Sequence, residues 1–163
     1  MTTATLTPPR WAVVAAHLVP LVMLPSALWR IALVAGVPLG LRFADADVGG
    51  NAWYIVGLSV VSEALALLTL GLVRPWGERV PEWFPLLGGR RVAPWAAIVP
   101  ASLGALALAV IWGYAFRDFP DFGLLAFSHP AGHVLLVVCY LPALLWAPLL
   151  GAVTWSYYRR RCR

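Results

Sequence analysis

Residues 52–95 read AWYIVGLSVVSEALALLTLGLVRPWGERVPEWFPLLGGRRVAPW. The first half, residues 52–73, carries a single charged side chain, Glu63. Residues 74–94 then carry Arg74, Glu78, Arg79, Glu82, Arg90 and Arg91, interleaved with tryptophans and prolines. An uninterrupted apolar run of that length matches the roughly 20 residues that cross about 30 Å of hydrocarbon at 1.5 Å per residue. The abrupt polar stretch after it reads as a loop outside the apolar layer.

The pattern repeats along the chain. Apolar spans cover about 11–29, 52–73, 95–116 and 131–155, the first with a possible helical continuation through RIALVAGVPLGL at 30–41. A segment with no water around it must satisfy its backbone internally, so each span is expected to be a helix. Of the 163 residues, 61% are hydrophobic and 12% charged, with a mean hydropathy of +0.81. Soluble domains are about 25% charged. The expected fold class is an all-α membrane protein: one four-transmembrane-helix bundle spanning residues 1–163.

Orientation follows from the basic residues, all of which are arginine. Arg10, the loop at 74–94 and the tail RRRCR carry nine of them, whereas the other two loops carry only Arg42 and Arg117. Arg30, near an outer boundary, is set aside from that count. Basic flanks stay in the cytoplasm, so both termini and the 74–94 loop are expected there, against anionic lipid headgroups. The sequence ADA at 44–46 imitates a signal-cleavage site, but the apolar stretch before it is too long and Arg30 interrupts it. The arginines flank apolar spans and form no base-reading surface, so a nucleic-acid partner is not expected. Cys139 and Cys162 form no CxxC pair, which favours structural roles over metal or redox chemistry.

The stretches LPSALWR at 24–30, RPWGERVPEWFPLLGGRRVAPW at 74–95 and WAPLLGAVTWSYYRRR at 146–161 carry a resemblance. With them the chain resembles a group of small multi-pass, four-helix integral membrane proteins of actinobacteria. The resemblance implies source and topology, and brings no activity and no functional residue with it. A weak internal echo also exists: PRW and APW open spans one and three, and LGLV and LGAV close spans two and four. Two similar hairpins related by an axis along the membrane normal would produce it.

Candidate functional residues follow from polarity in the wrong place. Glu63 lies near the middle of span two, with Ser59 one turn earlier on the same face and Ser62 adjacent. An ionised side chain at that depth costs about 2.5–3.5 kcal/mol, and intramembrane acids usually face the bundle or a cavity. Glu63 is thus either packing glue or a proton carrier, cation ligand or general acid. His17 in span one could relay a proton with it if helices one and two face each other there. The outer loops supply Asp45, Asp47, Asp118 and Asp121, oxygen ligands of the kind hard cations prefer, though without a complete metal-binding spacing. His129 and His133 share a helical spacing, but Pro130 makes position 129 the better helix start. No metal centre is assigned and no cofactor is identified. Pro20, Pro25, Pro142 and Pro148 are expected to bend helices one and four. The small residues at 101–109 suit close helix approach, within or between subunits.

In the loop at 74–94, Trp76, Trp83, Arg90 and Arg91 are candidate docking residues for a partner, although the stretch reads chiefly as an interfacial strap. With no P-loop, nucleophile elbow or HExxH motif, three function classes remain open. The leading one is a helper or oligomerising membrane component, alone or with another membrane protein. The second is an oligomeric proton- or cation-coupled transporter or channel using Glu63. The third is a membrane-embedded enzyme acting on a lipophilic substrate.

The arginine count is directly testable. Topology reporters inserted in the 74–94 loop or after residue 161 are expected to report the cytoplasm, and reporters at 40–50 or 118–128 the opposite side. Replacing Arg74, Arg79, Arg90 and Arg91 together by glutamine is expected to produce mixed orientations. A single unchanged orientation would contradict the charge argument.

Overall fold

The structure, a computed structural model of the full chain, describes residues 7–39, 51–79, 88–117, 127 and 129–162. The described residues are helical apart from turns and short bridges: α1 (Arg10–Val34), α2 (Ala52–Leu68), α3 (Pro94–Ala115), α4 (Pro130–Tyr140) and α5 (Trp146–Arg161). A 3-10 turn at Thr69–Leu72 extends α2, and a second at Leu141–Leu145 joins α4 to α5. Four helical segments are long and apolar enough to cross a membrane: Arg10–Val34, Ala52–Leu72, Pro94–Ala115 and Pro130–Arg161.

The helix ends have local causes. At the end of α1, Gly36 adopts a φ of 77°, and its N–H bonds the Leu33 carbonyl while that of Val37 bonds Ala32. This is a Schellman cap, which demands the left-handed conformation that glycine adopts freely. Helix α1 therefore runs five residues past Trp29 and stops before the end of the apolar stretch. Helix α4 begins as the residue order suggests: Pro130 occupies the first turn and His129 Nδ1 accepts from the Ala131 N–H at 3.2 Å. In the fourth span the break falls at the 3-10 turn containing Pro142. Pro148 lies in the first turn of α5, where its missing N–H has no intrahelical acceptor to satisfy.

Packing places the helices in the order α2–α1–α5–α3. Helix α1 lies between α2 and α5, α3 packs on the far side of α5, and α4 leans on α1. The buried stripe of α1 (Ala12, Ala16, Val19, Met23, Ser26 and Ala27) recurs at three- and four-residue steps. Val153 and Tyr157 of α5 meet it in the main core and are fully buried. The small residues Ala97, Ala101 and Ala105 of α3 pack towards this core, beside α5. The stripe at 101–109 thus serves close approach within the chain. Helix α3 otherwise faces outward, with Ile98 its one buried residue.

Helices α2 and α3 follow each other in sequence but are not packed as a pair. A two-fold axis relating the hairpins would require α2 to meet α3 as α1 meets α5. The internal echo therefore has no counterpart in the packing. The connection must instead cover up to three interaxial steps of about 8–10 Å each, which a tight turn could not. Its two described legs meet where Arg79 bridges Arg91 and the Val92 N–H bonds the Glu78 carbonyl at 3.0 Å.

The start of this crossing depends on two glycines. A side-chain carbon at Gly77 would lie 1.8 Å from the Gly71 carbonyl oxygen, and one at Gly71 would lie 2.7 Å from the Trp76 ring. Gly77→Ala is expected to destabilise the protein by at least about 1–3 kcal/mol, the usual cost of forcing atoms into a packed site. Gly113→Ala, where the added carbon meets nothing within 4 Å, is expected to be neutral or stabilising. Thermal unfolding of the two purified variants checks this, and equal melting temperatures would refute the close-approach argument.

Candidate functional site

The polar residues of α2 lie on one face. Ser59, Ser62, Glu63 and, one turn on, Ala66 and Thr69 form the stripe turned to α1, and Ser59 is 2% exposed. Arg30 continues the buried stripe of α1, four residues after Ser26. Its Nε donates to Ser59 Oγ at 2.9 Å and its Nη2 to Ser62 Oγ at 3.2 Å. Each serine hydroxyl in turn donates to its own helix, Ser59 to the Ile55 carbonyl at 2.9 Å and Ser62 to the Ser59 carbonyl at 3.0 Å. A chain of bonds therefore leads from the guanidinium into the α2 backbone.

The convergence has a geometric cause. Side chains on a helix lean toward its N-terminus. In the antiparallel pair α1 and α2, that directs Arg30 inward along α1 and Glu63 back along α2, toward one another. The Arg30 charge is felt by Glu63 and also by Tyr140 at the end of α4. Yet the guanidinium hydrogen-bonds the serines and not the carboxylate, and among the described residues the buried Glu63 Oε1 has no hydrogen-bond partner. Aromatic rings adjoin the cluster. Tyr140 meets Trp29 edge-on at 5.6 Å and Trp112 at 6.2 Å, which brings α1, α3 and α4 together at this level.

Arg30 is the residue the sequence reading missed. It belongs with Glu63 at the site, not at a boundary. The available signal was its position on the stripe defined by Met23, Ser26 and Ala27. The His17–Glu63 relay, conditional on the two helices facing each other at that point, does not form. His17 lies about 20 Å from Arg30 along α1 at 1.5 Å per residue, and both its ring nitrogens are engaged. Nδ1 donates to the Val13 carbonyl at 2.7 Å, which leaves Nε2 to accept from Arg74 at 3.2 Å.

A second polar group lies where the chain termini and the 72–95 stretch meet. Arg160 and Arg161 each approach a Glu78 oxygen at 3.7 Å. Arg160 also donates to the Leu72 carbonyl at 2.6 Å, and Arg161 to that of Val92 at 3.4 Å. The tail is therefore helical to Arg161 and ties α5 to both legs of the loop. Trp76 packs its ring on Gly71 yet stays partly exposed, while Arg90 and Arg91 are exposed. Trp83, Asp45, Asp47, Asp118 and Asp121 lie outside the described residues. Among the described residues no three His, Cys, Asp or Glu side chains gather as metal ligands. Comparisons with protein-family models, curated proteins and solved structures return no match.

The hydrogen bonds at Arg30 predict an asymmetry. Removing both hydroxyls in Ser59→Ala with Ser62→Ala takes two acceptors from the guanidinium. At about 1.5–3 kcal/mol per lost bond to a charged group, thermal stability is expected to fall clearly. Arg30→Met removes the charge and leaves both serines bonded to their own helix, so it is expected to be close to neutral. A larger loss in Arg30→Met than in the double serine variant would contradict this arrangement.

Proposed function

We propose that the chain is a multi-pass protein of the cell membrane, with both termini in the cytoplasm, whose working site is the Arg30–Glu63 cluster. In this reading Glu63 takes up and releases a proton within the bilayer, and the protein acts as a proton-coupled transporter or channel component. The observation that carries it is the buried Glu63 oxygen left without a hydrogen bond while the neighbouring guanidinium binds two serines. A buried polar group without a partner calls for an explanation, and an ionisable one inside an apolar span points to a working site. Arg30 disfavours a metal cation at the same place, because like charges repel strongly where water is excluded. A proton fits better. With Glu63 ionised, Arg30 has a stronger acceptor than the serines; with Glu63 protonated, it rests on Ser59 and Ser62, the arrangement seen.

Membrane insertion is supported by the large apolar side chains exposed along the helices, including Leu58, Val60, Leu103, Leu106 and Val110. The orientation is supported by the arginines grouped where the chain ends meet. The membrane of an actinobacterium fits the resemblance noted above. Four helices in an open order enclose little by themselves, so a pathway would need more than one copy of the chain.

A second reading, an interaction component that assembles with other membrane helices, is favoured by α3, which buries only Ile98 within its own chain. The two readings separate at Glu63. In proteoliposomes with an internal pH dye, Glu63→Gln is expected to abolish pH-dependent proton uptake, with expression and oligomer size unchanged. Uptake equal to that of the wild type would remove the proton site and leave the interaction reading standing.

A further inference from the structure

Between α3 and α5 lies an open cleft of about 350 Å³, walled by Ser102 and Ala105 on one side and by Gly151, Thr154, Trp155 and Tyr158 on the other. Its surface is largely apolar, because the Thr154 hydroxyl donates to the Leu150 carbonyl of its own helix at 2.7 Å. Gly151 is not required by close packing: a carbon added there meets nothing within 4 Å. A mid-helix glycine costs about 0.5–1 kcal/mol relative to alanine, and here its effect is to keep the cleft open. At about 30 Å³ per water-sized group, the space accommodates about a dozen methylenes.

The end of the cleft nearest the chain termini is aromatic. Tyr158 stacks on Trp155 at 5.7 Å and meets Trp95 of α3 at 6.1 Å. One turn beyond Trp155, on the row Gly151–Trp155–Arg159, stands an exposed arginine. Its two successors are engaged by Glu78. Among the described residues Arg159 makes no such pair, so the last turn of α5 presents an uncompensated cation just past a ring pair at the mouth of an apolar trough.

We propose that this cleft seats one acyl chain of an anionic phospholipid, with the headgroup phosphate held by Arg159. The apolar walls match an acyl chain, and aromatic rings suit the headgroup level. A zwitterionic lipid offers the same chain, but its own cation offsets the phosphate, so the arginine selects a net negative head. The inference rests on the membrane reading above and is independent of the proton site.

The test uses full-length protein recovered from washed membranes and exchanged into equal mixtures of phosphatidylglycerol and phosphatidylcholine, with retained lipid counted by native mass spectrometry. One retained phosphatidylglycerol per chain is expected, preferred by about fivefold, the factor that a single arginine near an anionic surface supplies. Gly151→Leu, which fills the cleft, is expected to lose retention of both lipids. Arg159→Gln, a change on the surface, is expected to keep a lipid and lose the preference. Absence of retained lipid in the wild type, equal retention of the two lipids, or unchanged behaviour of both variants overturns the seat. Protein found in the soluble fraction instead of the membranes overturns the membrane reading and the seat with it.

Discussion

A guanidinium carried on the buried stripe of a helix has to be answered by acceptors on whatever packs against it. In this chain that requirement sets how α1 and α2 meet. Arg30 reaches Ser59 and Ser62, and both serines pass the bond on to carbonyls of α2. Sliding α2 along α1 would break both serine bonds to the guanidinium, and a charge in an apolar setting is costly unless it is hydrogen-bonded. The Trp29, Tyr140 and Trp112 rings then follow, because they occupy the space beside a side chain that cannot move aside.

The opposite end is held by different chemistry. There the partners of the arginines are chiefly main-chain carbonyls and one carboxylate. Arg160 and Arg161 reach Leu72, Val92 and Glu78, three points on a connection that joins two helices not packed as a pair. The glycine pair at 71 and 77 lets that connection turn tightly at its start. The described parts of the 72–95 stretch are thus fastened by the last turn of α5. These ties help to fix where α3 lies beside α5, although α2 and α3 are not packed as a pair.

Much of this was legible in the residue order, and the failures are instructive. The four long apolar segments were visible from length and polarity, which set where an apolar run lies but not where its helix stops. The fourth ran six residues further, since α5 continues through Tyr157, Tyr158 and three arginines to Arg161. Glu63 and its serines were visible as polarity inside an apolar run. Arg30 was not, because an arginine close to a span's end looks like a boundary marker; only its angular position, in step with Met23 and Ser26, reveals that it points inward. The conditional relay between His17 and Glu63 falls away for a related reason. Depth can be counted along one helix, but two residues at similar depth need not share a side.

By itself the sequence determined the helical class and the number of long apolar segments, since these depend on local composition and on 1.5 Å per residue. The tertiary structure decided the neighbours: α1 between α2 and α5, the serines as acceptors for Arg30, and Glu63 left beside a guanidinium that binds elsewhere. Helices that are apolar nearly all round carry few marks of which face turns inward, so their order depends on a few side chains that must find partners across the bundle. Those pairings are long-range, and no window along the chain contains both members.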